Sequence, residues 1–348
     1  MEPDFGRLEA LAGAAIQVTE MPGGASTRRY FRVTLAAGAK VGARTAVAMF
    51  VPEGGKAEEI AKEGAAKTGP TRWPFLEVRD LLAASGVDVP ALYAEDPSSG
   101  WLLLEDLGDD TLANFLARAG DAARERLYRR AVLDLARAQK SLGDLPRDSI
   151  VKTRAFDADL LRWEIDHFRE WGLEARGHAL SAEDRAAFDA IADRLARRIA
   201  DWPRGFVHRD YQSRNLMVRR DPENLCWLDF QDALMGPRVY DLVALLNDSY
   251  QTFDRAFVEA RLAEYADATH APLEPLALEF DYVTVQRKLK DAGRFVFIDR
   301  VKKNDSFLRF VVPTVRKVGE ALTRLEAHDA DMKALKNMLK RNLPDEMR

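Results

Sequence analysis

The sequence predicts an α+β fold in two lobes, a small β-rich lobe followed by a larger, mostly helical one. Three observations predict it. The chain has 348 residues, more than one hydrophobic core usually organises. Its first hundred residues alternate short apolar or β-branched runs with glycine-rich turns. Beyond residue 106 the pattern changes to Ala-, Leu- and Arg-rich segments with helical periodicity. The lobes are therefore expected to cover residues 1–105 and 106–348.

In the first lobe, "AAIQVTEMPGGASTRRYFRVTLAAGAKVGARTAVAMFVP" predicts three antiparallel strands near 14–19, 28–36 and 44–51. The polar, Gly- and Lys-rich segment 53–73 predicts a mobile loop with at most a weak helix. "PFLEVRDLLAASG" places Phe75, Val78, Leu81 and Leu82 on one helical face, with Gly86 as its C-cap. "VPALYAED" and "WLLLEDL" read as two further strands. In the second lobe, helices are expected over "DDTLANFLARAG", 121–142, 156–172 and 181–201. Two short apolar strands, "NLMV" and "LCWL", interrupt them, and everything after 238 is helical again.

Composition narrows the function classes. Apolar residues make up 47% and charged residues 31%, which is globular and not disordered. A net charge of −4 argues against a general nucleic-acid or membrane-surface binder. The single cysteine, Cys226, cannot form an intramolecular disulfide, and its apolar setting predicts a buried structural thiol. The N-terminus lacks a basic segment followed by an apolar block, and no apolar run reaches membrane-spanning length. A cytoplasmic protein, expected as a monomer, follows. The five histidines lack zinc-like spacing.

The chemistry concentrates in "FVHRDYQSRNLMV", residues 206–218. Asp210 is followed five residues later by Asn215, and a short hairpin later by Asp229-Phe230-Gln231-Asp232. A carboxylate, an amide oxygen and a second carboxylate on adjoining loops suit Mg²⁺, a hard cation that takes oxygen ligands. Phosphoryl transfer needs such a metal on the phosphates and a carboxylate at the attacking hydroxyl. Asp210 is placed as that catalytic acid/base, and Asn215 and Asp229 as metal ligands. His208 has two readings, catalytic or holding the loop shape.

The loop "HRDYQSRN" and the later "LDFQD" resemble the protein-kinase-like fold, specifically the aminoglycoside phosphotransferase family of small-molecule kinases. The absence of a long activation loop before "GPRVYDLVALL" favours a small-molecule acceptor over a protein. The resemblance implies ATP and Mg²⁺ as cofactors. It implies that the turn "PGGASTRRYFRV", with Gly24, Ser26 and Thr27, covers the phosphates, and that backbone from Glu105 to Leu107 meets adenine. Asp241 in "VYDL" would support the catalytic loop or cap its helix. The third strand, "TAVAMFVP", lacks the lysine that kinases carry there, so Glu77 has no partner in the usual place. Arg28, Arg32 and Lys56 are the candidates to replace it.

Segments from about 20 to 310, including "GVDVPALYAEDPSSGWLLLEDLGDDTL" and "VQRKLKDAGRFVFIDRVKKN", look like the anomeric sugar kinases acting on N-acetylmuramate and N-acetylglucosamine in peptidoglycan recycling. That similarity implies a small amino-sugar substrate, phosphorylated at its C1 hydroxyl. N-acetylmuramate carries a carboxylate. Arg287, Lys290 and Arg294, three and four apart, share a helical face that either meets it or is a solvated basic face. Trp163 and Trp171, eight apart, either stack on sugar or pack in the core. Two alternatives stay open: another acceptor (an aminoglycoside, choline or homoserine), or a nucleotide-binding pseudokinase.

Overall fold

Strand alternation builds the first lobe. In the computed structural model, which describes residues 2–22, 27–52, 72–219 and 224–347, five strands form one antiparallel sheet. They are β1 (Ile16–Glu20), β2 (Arg29–Leu35), β3 (Thr45–Phe50), β4 (Leu92–Asp96) and β5 (Trp101–Glu105), in the order β1-β2-β3-β5-β4. Pairing of Phe31 with Ala48, and of Ala48 with Leu103, puts alternate residues on one face. Phe31, Val33, Ala48, Phe50, Trp101 and Leu103 close on the helix α1 (Phe5–Ala12). The opposite face carries Tyr30, Val47, Leu102 and Leu104 towards the second lobe.

The sequence reading contains no α1. Eight residues without a strong period hide it, and two local contacts hold it. Asp4 accepts N–H bonds from Gly6 and Arg7 at the N-cap, and the Trp101 indole donates to the Asp4 carbonyl at 3.0 Å. The expected helix after the loop is α2 (Pro74–Ala84), burying Phe75, Leu76, Val78 and Leu82. The loop expected over 53–73 falls, for 53–71, outside the described residues.

The second lobe contains α3 (Leu112–Leu116), α4 (Asp121–Ser141), α5 (Ile150–Thr153) and α6 (Ala158–His167), which runs on into a π-helical turn, Phe168–Leu173. Then follow α7 (Ala182–Ala200), α8 (Tyr240–Leu246), α9 (Arg255–Thr269), α10 (Leu273–Lys302), α11 (Val311–Leu325) and α12 (Ala330–Asn342). Between α7 and α8 lie two short ladders. β6 (Arg204–Val207) pairs with β9 (Leu234–Pro237), and β7 (Leu216–Val218) pairs with β8 (Leu225–Trp227). The inner pair is nested in the outer one in sequence. The loops 208–215 and 228–233 therefore start and end on paired strands, which is what brings the two chemistry-bearing segments together. Among the described residues, no helix is long and apolar enough to cross a membrane.

The thirty-residue α10 is the lobe's central element and is buried along most of its length. It passes so close to α6 that a Cβ on Gly293 would lie 2.5 Å from the His167 carbonyl oxygen. Backbone cannot swing aside as a side chain can. Gly293→Ala is therefore expected to destabilise the protein by about 1–3 kcal/mol, the usual cost of overpacking. Urea or thermal unfolding measures it, and an unchanged midpoint contradicts this packing.

Candidate active site

The loop after β6 is set by Asp241, in the first turn of α8. Its buried carboxylate accepts the backbone N–H of His208 at 2.7 Å and of Arg209 at 3.0 Å. Arg209 has a left-handed backbone, φ 81°, which a non-glycine residue adopts at a cost of about 1–2 kcal/mol. Further along, the Tyr211 hydroxyl donates to the Ala131 carbonyl of α4 at 2.9 Å, and the Ser213 N–H and hydroxyl both donate to Asp248. Anchored on both sides, the loop turns Asp210 into a cleft between the lobes.

Three cations face Asp210. Arg287 lies 3.3 Å from its carboxylate and also donates to the Arg209 carbonyl at 2.7 Å. Burial opposes ionisation of Asp210, but Lys290, Arg287 and Arg209 outweigh it and hold the carboxyl below its ordinary range. An ionised Asp210 is thus available to accept a proton at neutral pH.

The second loop leaves β8 and also contains a left-handed residue, Asp229, φ 61°. The Leu228 N–H donates to the Asn215 carbonyl at 2.8 Å, which joins the two loops edge to edge. Asn215 Nδ2 donates to the Asp210 carbonyl at 2.8 Å and lies 3.5 Å from the Asp229 carboxylate. Gln231 stands where a protein kinase has glycine. It is buried, and its Nε2 donates to both Asp229 and Asp232 at 3.0 Å, which clips the two acids together. Asp229 opens into the cleft, with 47% of its side chain exposed. The cleft walls partly desolvate it. That desolvation, with Asp210 and Asp232 nearby, pushes its carboxyl up against the pull of Arg28 and of the Gln231 hydrogen bond.

These residues fit Mg²⁺. Asn215 commits its nitrogen to a carbonyl, which leaves Oδ1 as the ligand atom, and Asp229 is a carboxylate crowded by other negative charge. Among the described residues, no three His, Cys, Asp or Glu side chains form a metal-binding group. So small a donor set suits an ion that takes one or two carboxylates and fills its remaining positions with phosphate and water.

The cleft measures about 1110 Å³. At the sheet end, Thr27, Arg28, Glu105 and Leu107 line it. Gly24, Ser26 and Lys56 lie outside the described residues. Of the candidates to replace the third-strand lysine, Arg28 lines the cleft: it is 7% exposed, with Nη1 3.8 Å from Asp229. Arg32 does not reach the cleft. Asp106 and Asp109, just past β5, hold its guanidinium in ion pairs at 3.1 and 2.9 Å. Glu77 accepts the Ile150 N–H of α5 at 2.6 Å and so ties α2 to the second lobe.

The catalytic expectation for His208 is not met. Its ring is fully buried behind the loop, edge-on to Tyr211 and Trp227 at 5.7 Å each, and does not line the cleft. Burial pushes its pKa down to about 4, so it stays neutral and shapes the loop. Of the three cations expected to meet substrate, all line the cleft, but Arg287 is committed to Asp210 and Lys290 lies 3.3 Å from Asp291. Arg294 stacks on Phe297 at 4.8 Å. A solvated basic face is excluded, since Arg287 is 1% exposed. Trp171 packs against Phe297, but Trp163 is 57% exposed and lines the cleft, contrary to a place in the core. Cys226 is buried as expected.

Sequence reasoning missed Asp291, Glu164 and His167, which also line the cleft. For Asp291 a signal existed: it is the acid that follows the cations Arg287, Lys288 and Lys290 in one helix, and it lies 2.7 Å from Lys288. Glu164 and His167 sit at ordinary helical spacing and show none.

Residues 17–276 match the family described as "Phosphotransferase enzyme family". The chain belongs to this phosphotransferase family. Its relatives include N-acetylmuramate/N-acetylglucosamine kinase of Pseudomonas aeruginosa, 39% identical over 65% of this chain and 66% of that protein, a little under two thirds of its length. The protein of the same name from Pseudomonas putida is 32% identical over 73% of this chain and 78% of that one. Among solved structures, the ADP-bound aminoglycoside phosphotransferase APH(2'')-Ib superposes with a TM-score of 0.59 at 12% identity, over 91% of this chain and 97% of that one. This likeness shows the protein-kinase-like two-lobe fold.

If Asp210 is the base, the acid limb of kcat/KM is expected to depend on Lys290, whose charge leads the groups holding Asp210 low. A base works ionised, and a lowered pKa keeps it so as pH falls. Lys290→Met raises that pKa, so the acid limb of kcat/KM is expected to move to higher pH, with Lys290→Arg restoring it. An unmoved limb removes Asp210 as the titrating base.

Proposed function

We infer that this phosphotransferase moves the γ-phosphoryl group of ATP to the anomeric hydroxyl of N-acetylmuramate or N-acetylglucosamine. One observation carries the chemistry: Asp210, Asn215 and Asp229 share a single cleft, with Arg28 descending on Asp229 from the sheet. The relatives' names supply the acceptor class. Asp210 orients the sugar hydroxyl and accepts its proton as the new O–P bond forms and the bond to the departing ADP oxygen breaks. Asn215 and Asp229 would hold Mg²⁺, which would supply positive charge against the negative charge that develops during transfer. Thr27 and Arg28 approach the phosphates, and backbone between Glu105 and Leu107 receives the adenine ring. His208, Asp241 and Arg287 are positioning residues.

Lys290 and Arg294 give the acceptor end a cationic wall. A polycationic aminoglycoside would be repelled there, whereas an acid-bearing sugar would be attracted.

Incubation with ATP, Mg²⁺ and each sugar should give a product whose ¹H and ³¹P spectra place phosphate on the anomeric carbon. Phosphate on another hydroxyl, or no turnover with either sugar, contradicts the assignment. Asp210→Asn is expected to lower kcat by about a hundredfold or more while nucleotide affinity changes little, the scale of a lost general base.

A further inference from the structure

The acceptor end of the cleft has two features that the transfer chemistry does not use. The first is Trp163. Among the described residues no large apolar side chain is more exposed, yet it lies on a cavity wall. An indole there presents a negative π face to whatever occupies the cleft. The second is Arg294. Its neighbours on the same face of α10 are satisfied, Arg287 by Asp210 and Lys290 by Asp291. Among the described residues, no carboxylate forms an ion pair with Arg294, whose guanidinium instead rests on Phe297 at 4.8 Å.

A chain of rings joins these features. Trp163 lies 5.7 Å from His167 with the rings tilted by 32°, His167 lies 5.3 Å from Phe297, and Phe297 carries Arg294. The close approach of α10 to α6 at Gly293 locks the two helices that supply the chain. The indole and the guanidinium are therefore borne on two closely packed helices and line the same cleft. His167 adds no charge between them: burial, reinforced by Arg294 and Lys290, pushes its pKa down to about 4. Burial also pulls Arg294 below its ordinary value, so an arriving anion finds a cation with little water left to lose.

We propose that Trp163 and Arg294 form an acceptor subsite that reads the difference between acid-bearing and neutral amino sugars, a reading that rests on the amino-sugar kinase assignment above. Trp163 stacks on the C–H face of the pyranose, which both sugars share. Arg294 takes the carboxylate of the ether-linked lactyl group, which only N-acetylmuramate carries, through a charge-assisted and potentially bidentate hydrogen bond. The aromatic wall holds either sugar, and the cation favours the acidic one.

Steady-state kinetics with both sugars test this on Arg294→Gln, Arg294→Lys and Trp163→Ala. Arg294→Gln should raise KM for N-acetylmuramate at least about tenfold more than KM for N-acetylglucosamine, the size of one charged hydrogen bond. Arg294→Lys should recover part of that difference. Trp163→Ala should raise both KM values by similar factors and abolish the quenching of tryptophan fluorescence that either sugar causes without nucleotide. Equal effects of Arg294→Gln on the two sugars overturn the acid-reading role, and an unchanged KM in Trp163→Ala overturns the platform. Wild-type protein that turns over neither sugar overturns the kinase assignment, and the subsite with it.

Discussion

The site depends on one buried carboxylate. Asp241 receives the amides of His208 and Arg209 and so fixes the residue before Asp210 in a left-handed conformation. Burial outweighs those two amides and Arg287 and leaves the Asp241 carboxyl raised to about 7. The geometry favours the anion, because both partners are donors. Hydrogen bonds to a charged group contribute roughly 1.5–3 kcal/mol each, more than the conformational cost of about 1–2 kcal/mol at Arg209. The loop can therefore hold a conformation its own residues disfavour. Arg287 completes the arrangement from α10 by gripping the Arg209 carbonyl and the Asp210 carboxylate together.

Topology then does for Asp229 what hydrogen bonds do for Asp210. Nesting β7–β8 inside β6–β9 brings both loops out at one end of the ladders. Asn215 bridges them, and Gln231 takes over a position where a backbone without a side chain would leave Asp229 and Asp232 unclipped. Strand β3 carries no lysine, and the Glu77 carboxylate joins α2 to α5 by accepting the Ile150 N–H.

The chemistry was legible because its residues are close in sequence. Asp210, Asn215 and Asp229 span twenty positions, and their spacing alone implied a shared cleft. Asp241 was legible as loop support or helix cap only through the family resemblance of "VYDL". What escaped depends on partners far along the chain. Arg28 and Arg32 lie on the same side of the strand by alternation, and Asp106 and Asp109, more than seventy residues later, decide between them. Helical spacing identified the faces of Trp163 and Arg287, but it cannot distinguish a cavity wall from a core. His208 reads as a catalytic-loop residue in one dimension and proves to be its buried support in three. The ladder of β6 and β9 pairs four-residue strands about thirty positions apart, too short to show a period. The sheet, by contrast, was read strand by strand to within about three residues, because its alternation is local.

The dependence on Asp241 can be measured with one isosteric change. Asp241→Asn keeps the volume but replaces one acceptor oxygen with a donor that faces an amide N–H, so the loop loses its reason to hold Arg209 left-handed. Single-turnover phosphoryl transfer, with nucleotide affinity measured on the same preparation, reads the result. A fall of about a hundredfold or more in the transfer rate, with nucleotide binding and cooperative unfolding retained, is the predicted outcome. A rate within threefold of wild type would contradict the account, because Asp210 would then be placed by something other than this carboxylate.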